Sequence, residues 1–205
     1  MKRNDFQNQR RGMQTTFHIR SKEENSPDDE KCIEGYFALY ENETELWEGC
    51  REIISKGAFS NTITKNDVRA LINHDTTLVL GRTKAGTLEL KEDDKGLFGR
   101  IRINPNDSDA MNLYSRVERG DVDQCSFGFN IIDEDYEELA DGSVRFRINE
   151  IDLQEVSCCT FPAYEDTSIQ ARKKDFEKAK GEIQERSFDA QKNKLKKRLE
   201  DLKNA

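Results

Sequence analysis

QCSFGFNI, residues 124–131, sets Cys125, Phe127, Phe129 and Ile131 on one side of an extended chain and Ser126, Gly128 and Asn130 on the other. Successive side chains of a strand point to opposite faces, so the apolar side must face a core. LFGRIRI at 97–103 repeats the pattern, with Leu97, Gly99, Ile101 and Ile103 opposed to Phe98, Arg100 and Arg102. Extended character recurs in CIEGYFALY (32–40), at 76–80, in TLELKED (87–93), in VRFRINEI (144–151) and in LQEVSCCTF (153–161). The period changes over 107–119. There Ala110, Leu113, Tyr114 and Val117 fall at helical intervals, Asn106, Asp107 or Ser108 can cap the start, and Gly120 suits the position just past the end. A second, short helix is expected near 67–72. Many short strands with few helices predict a β-rich α+β fold, as an antiparallel barrel or sandwich.

A length of 205 residues suits one domain with appended tails. Hydrophobic residues make up 34% and charged residues 36%, so the core is modest and part of the chain lies outside it. Residues 1–30 read as a loosely ordered leader, with SKEENSPDDEK (21–31) as a linker interrupted by Pro27. Residues 31–170 form the domain. The tail, 171–205, is rich in Lys, Glu, Gln and Ala and sets Leu195, Leu199 and Leu202 at i, i+4 and i+7. That spacing predicts an amphipathic helix with a short stripe suited to self-association or to a partner. Of the 33 Lys/Arg and 41 Asp/Glu, the tail holds 12 and 7, a net +5, which leaves the rest at −13. An acidic body disfavours nucleic acid, whose phosphates need clustered Lys and Arg.

No apolar run approaches the 18 residues of a membrane span. The basic start, MKRNDFQNQRRGMQTTF, has no apolar stretch behind it, as a secretory signal would require. Five cysteines, none in a C-x-x-C pair, read as reduced thiols of a cytoplasmic protein. The two histidines do not lie at metal-ligand spacing from a cysteine, and GRTKAGTL (81–88) lacks the spacing of a phosphate cradle. No metal or cofactor is expected.

A serine beside a glycine, on the less apolar face of a strand, leaves room for a substrate backbone. Ser126 fits that description, although taken alone it reads first as an ordinary polar residue of a half-exposed strand. A serine nucleophile needs a base, and histidine titrates near neutrality. His74 lies in VRALINHDTTLVLGR (68–82), whereas His18 lies in the leader. Two acids compete to orient His74. Asp75 is its neighbour, and Glu155 shares a strand face with Leu153, Ser157, Cys159 and Phe161. A carboxylate there needs a partner, either a histidine N–H or the guanidinium of Arg145 or Arg147. Ser157 has no better claim than any core serine, and Cys125 and Cys158 read as core packing.

Several segments then recur in order: GYFALY (35–40), GAF (57–59), LINHD (71–75), LGRTKAGTLELKEDDKGLFGRI (80–101), RGD (119–121), SFGF (126–129) and EVSCCTFPAYEDT (155–167). Together, from 33 to 167, they resemble the prohead serine proteases of tailed bacteriophages. The resemblance implies a fold similar to the herpesvirus capsid-maturation proteases, a β-barrel wrapped by helices. It sets the family's histidine on His74, its nucleophile on Ser126 and its acid on Glu155, with Cys125 where an apolar residue such as Met is usual. It also implies an endopeptidase that works inside the procapsid, in the cytoplasm of a bacterial host. Its expected substrates are the scaffold, the N-terminal segment of the major capsid protein, and the enzyme itself. The tail is not closely covered by the resemblance and is expected to target the scaffold or to be removed by self-cleavage. Two alternatives stand beside this: an inactive assembly or scaffolding protein of the same fold, and a binding module whose Ser/His pair is accidental. Retention of both Ser126 and His74 counts against the first.

Overall fold

The computed structural model describes residues 9–14, 17–20, 31–161 and 166–203. In chain order the elements are β1 (Gln9–Gln14), β2 (His18–Arg20), β3 (Cys32–Leu39), β4 (Thr44–Trp47), β5 (Cys50–Ile54), α1 (Ser60–Lys65) and β6 (Arg69–Ile72). There follow β7 (Asp75–Arg82), β8 (Leu88–Glu92), β9 (Gly96–Arg102), α2 (Ser108–Arg119), β10 (Gln124–Glu138), β11 (Val144–Cys159) and α3 (Asp166–Lys203). This is a β-rich α+β fold. Its described strands form a seven-stranded sheet, β1-β10-β11-β5-β4 with β6 attached at β11 and β7 paired to β6, and a four-stranded sheet, β2-β3-β9-β8. They do not close into one barrel.

The frame of the larger sheet is the β10–β11 hairpin. Its antiparallel register runs from Gln124 opposite Cys159 to Glu138 opposite Val144. The alternation read from QCSFGFNI holds on its apolar side: Cys125, Phe127, Phe129 and Ile131 are each no more than 3% exposed. Phe127 stacks on Phe129 with ring centroids 4.9 Å apart and meets the edge of Phe59 at 5.7 Å. Each such ring contributes about 1.5–3 kcal/mol by leaving water. Ile33, Phe37, Leu97 and Ile101 of the smaller sheet and Ala110, Leu113, Tyr114 and Val117 of α2 join the same core.

The other edge of β11 receives two parallel partners in succession, β5 along 144–148 and β6 along 155–158. Between them α1 closes the gap. Ile151 N–H donates to Ala58 O at 3.0 Å, and Leu153 N–H donates to the buried Thr62 Oγ1 at 2.8 Å. Buried backbone donors require such partners. The helix expected near 67–72 is therefore corrected: 69–72 is strand β6, and the short helix lies earlier, at Ser60–Lys65. Pairing with the central strand, which buries Ala70, Leu71 and Ile72, outweighs weak local helical preference.

Within residues 1–30, β1 adds to the free edge of β10 with Gly12 opposite Ser126. It is fastened by the buried Arg11, whose Nε and Nη2 donate to Glu52 Oε1 and Oε2 at 2.5 and 3.0 Å. The linker read at 21–31 lies, up to residue 30, outside the described residues, as do 162–165 of the last resemblance segment. The helix α3 runs unbroken through residue 170. Phe176, Ala179 and Ile183 pack with Trp47, Tyr136 and Phe146 over the far end of the hairpin. Leu195 is exposed. Among the described residues no helix is long and apolar enough to cross a membrane.

The α2 helix begins and ends as its sequence predicts. Asp107 Oδ1 accepts the N–H groups of Asp109 and Ala110 at 2.9 and 3.2 Å, and Gly120 ends it with φ of 85°. Asp107→Ala should lower unfolding stability by about 1 kcal/mol, read as a lower urea midpoint at unchanged slope. An unchanged midpoint would mean that the cap contributes nothing.

Candidate active site

His74 is positioned by a turn of minimal length. Strands β6 and β7 pair with Ile72 opposite Asp75, so only Asn73 and His74 connect them, with φ of 51° and 61°. Two successive left-handed residues make the hairpin turn whose twist matches the flanking strands. Asn tolerates that conformation. For His it costs roughly 1–2 kcal/mol, and the surroundings must hold it. Asn73 N–H donates to Cys158 O at 3.0 Å, Thr160 N–H donates to Asn73 Oδ1 at 2.9 Å, and His74 N–H donates to Ser157 Oγ at 3.2 Å. Parallel pairing of β6 with β11 thus carries the imidazole back over β11.

Glu155 is aimed by a bulge. Gly128 stands opposite Glu155, yet the next residue, Phe129, stands opposite Leu153, leaving Gln154 as the extra residue of β11. A bulge reverses the alternation on the strand that carries it. The expectation that Glu155 shares its face with Leu153 is therefore corrected. Leu153 joins Val156 and Cys158 in the core, and Glu155 is left with Ser157 and Cys159 on the other side. A Cβ at Gly128 would stand 2.5 Å from Glu155 Oε1 and 3.1 Å from its Cγ. The glycine beside Ser126 makes room for this carboxylate, not for a substrate backbone as the sequence suggested.

The carboxylate is used at both oxygens. His74 Nδ1–H donates to Oε1 at 2.6 Å, and Ser157 Oγ–H donates to Oε2 at 2.6 Å. A carboxylate can only accept, so Nδ1 carries a proton, and in the neutral imidazole Nε2 presents its lone pair. Nε2 is buried and has no hydrogen-bond partner among the described residues. Ser126 stands opposite Ser157 in the hairpin register and on the same face. It is 0% exposed, so the half-exposed strand face expected for it is corrected. Strand β1 lies alongside, and Ser126 Oγ–H donates to Arg11 O at 2.9 Å.

The other candidates lie apart from this cluster. Asp75 is exposed and its Oδ1 accepts from Thr77 N–H and Oγ1 at 2.8 and 2.6 Å, bonds that hold its carboxyl below the usual range. Arg145 pairs with Glu137 and Glu43, and Arg147 with Glu41. His18 is exposed on β2 of the smaller sheet. All five cysteines are buried thiols outside any disulfide. Burial pushes the thiols of Cys125 and Cys158 well up, and burial followed by the charge of Glu155 pushes Cys159 up to about 12. None of these three is a ready thiolate nucleophile. The residue that sequence reasoning passed over is Ser157. The signal available was its place two residues beyond Glu155, on the same face of the strand.

The arrangement is a histidine held at Nδ1 by an acid, with Ser126 on the same sheet face opposite Ser157 and its hydroxyl bonded to Arg11 O. A serine, a histidine and an acid are the groups a base-activated nucleophile requires. A profile of the caudovirus prohead serine protease family matches residues 15–182. The chain is 34% identical over 144 residues to the prohead protease of Enterobacteria phage HK97, a match covering 69% of this chain and 60% of that protein. It thus spans 60% of the length of this curated relative. The bacteriophage T4 capsid assembly protease shares the fold, with a TM-score of 0.50 at 14% identity over 76% of this chain and 98% of that one. A family match over most of the chain, and over every residue of the Ser126–His74–Glu155–Ser157 cluster, means that this chain belongs to the caudovirus prohead serine proteases.

Proposed function

We propose that this chain is a serine endopeptidase of phage capsid maturation, with Ser126 as nucleophile, His74 as general base and Glu155 as the acid that orients it. The observation that carries the reading is the 2.6 Å hydrogen bond from His74 Nδ1 to Glu155, on the sheet face that Ser126 shares opposite Ser157, in a chain of this family. Ser126 Oγ attacks the scissile carbonyl carbon while its proton passes to His74 Nε2. The imidazolium is stabilised by Glu155 and returns the proton to the leaving amine. Water then cleaves the acyl-enzyme by the same steps. For the first step the Ser126 hydroxyl turns from Arg11 O toward Nε2. Apo hydrogen bonds at such sites commonly tighten only with substrate.

The substrates proposed are the major capsid protein and the scaffold, met inside the procapsid in the host cytoplasm, together with the chain itself. The names of the HK97 and T4 proteins support this. The finer fold reading proposed is kinship with the barrel of the herpesvirus proteases, supported by the main core that both sheets share. The proposed division is a leader at 1–30 that lends β1 and β2 to the sheets of the protease domain at 31–170, and a tail at 171–205, continuous with the start of α3, that engages the scaffold or another copy. Phe188 and Leu195, exposed on α3, support an association role. The inactive-homologue reading lacks a comparable observation.

Two measurements test the site. A fluorophosphonate should form one covalent adduct, at Ser126. Ser126→Ala should abolish both the adduct and processing of the co-expressed major capsid protein. Processing that persists in Ser126→Ala would overturn the protease reading. Glu155→Gln should slow adduct formation by about 10²-fold or more, whereas Asp75→Asn should leave it within about twofold, given the exposure of Asp75. The reverse ranking would move the acid to Asp75. Gly128→Ala should slow the reaction by on the order of 10²-fold, the effect of a misplaced group, while the fold persists because only the flexible end of Glu155 must shift. A Gly128→Ala rate equal to wild type would show that the carboxylate does not need that space.

A further inference from the structure

Of the side chains around His74, Ser157 makes more of the cluster's hydrogen bonds than the proposed reaction requires of it. Its hydroxyl accepts from His74 N–H at 3.2 Å and donates to Glu155 Oε2 at 2.6 Å, while Glu155 Oε1 accepts from His74 Nδ1–H at 2.6 Å. The three bonds close a ring that leaves His74 by its backbone and returns by its imidazole. The direction of each is fixed. A backbone N–H can only donate and a carboxylate can only accept, so the single hydroxyl proton of Ser157 must point at Glu155. The residue is 0% exposed, so water does not compete for either bond.

We propose that Ser157 is a positioning residue for this site, tying the Glu155 carboxylate to the left-handed His74 turn so that Oε1 stays aimed at Nδ1. The proposal rests on the protease reading above and adds the means by which the acid is held. A glutamate side chain has three rotors, and a bond to one oxygen leaves the carboxylate plane free to turn. A bond to the second oxygen removes that freedom. A serine is suited to the task because its one oxygen both donates and accepts, so it joins an acceptor side chain to a backbone donor. The register makes this local. Ser157 and Glu155 lie two residues apart on one face of β11, opposite Ser126 and Gly128. Two of the bonds to Ser157 meet its Oγ and neither is available to a substrate, so Ser157 is not a second nucleophile.

The test uses the full chain as wild type, Ser126→Ala, Ser157→Ala and Ser157→Thr. The readouts are the rate of fluorophosphonate adduct at Ser126, the melting temperature, and the ¹⁵N-histidine spectrum. The chain has only two histidines, and His18 is exposed, so a protected imidazole N–H signal reports on His74. Ser157→Ala should slow the adduct by on the order of 10²-fold, with a melting temperature near wild type, and should expose the His74 N–H to exchange. Ser157→Thr, which keeps the hydroxyl, should recover most of the rate and the signal. A Ser157→Ala rate and signal equal to wild type would overturn the proposal, as would a Ser157→Thr variant as slow as Ser157→Ala. If wild type forms no more adduct than Ser126→Ala, the protease reading fails instead, and the His74 signal in Ser157→Ala still decides the tie.

Discussion

The antiparallel ladder between β10 and β11 is the constraint on which the rest of the molecule depends. Its register sets Ser126 against Ser157 and Gly128 against Glu155, so the proposed nucleophile, the proposed acid and the serine bonded to that acid come from alternate rungs on one face. The bulge at Gln154 completes the arrangement by separating the face of Glu155 from that of Leu153. Without it, strict alternation would put the carboxylate on the side of the phenylalanine stack. The ladder also offers β11 its second edge, and the parallel seating of β6 on that edge is what delivers the His74 turn.

Burial governs the chemistry of this cluster. Ser126 and Ser157 are fully buried and His74 nearly so. A carboxylate in such surroundings is tolerated because each oxygen accepts a hydrogen bond, and the same low-dielectric setting strengthens both bonds. The buried Arg11–Glu52 fork serves a related end at the opposite margin of β10. It fastens β1, whose carbonyl at Arg11 holds the resting Ser126 hydroxyl. Most other ion pairs, such as Arg145 with Glu137 or Arg51 with Asp141, are exposed in part or whole and contribute little individually.

Glycine at 128 illustrates how one position serves fold and site together. A strand interior loses stability with glycine, yet here any Cβ would collide with Glu155. The two-residue turn at Asn73–His74 works in the same way. A left-handed histidine is unfavourable by itself, and it persists because three backbone or side-chain hydrogen bonds from β11 and its continuation over-determine it. In both places a local cost is accepted where the site is assembled.

Much of this was legible in the chain itself. Period-2 alternation predicted the core faces of β9 and β10, and cap chemistry predicted both ends of α2. Histidine scarcity narrowed the base, and the order of short segments indicated the family. Alternation could not reveal the bulge at Gln154, because a bulge is a count of residues on one strand relative to its partner. The helix expected at 67–72 became β6 for a similar reason: edge pairing with β11 is a non-local term that four residues cannot encode. The open face expected for Ser126 is closed by β1, which approaches from more than a hundred residues away in sequence. The sequence by itself determined which residues can do chemistry and which faces must be apolar, since both follow from side-chain type and local period. Tertiary structure alone decided that Glu155 rather than Asp75 meets His74, and that Ser157 joins them, because those contacts depend on strand register and burial.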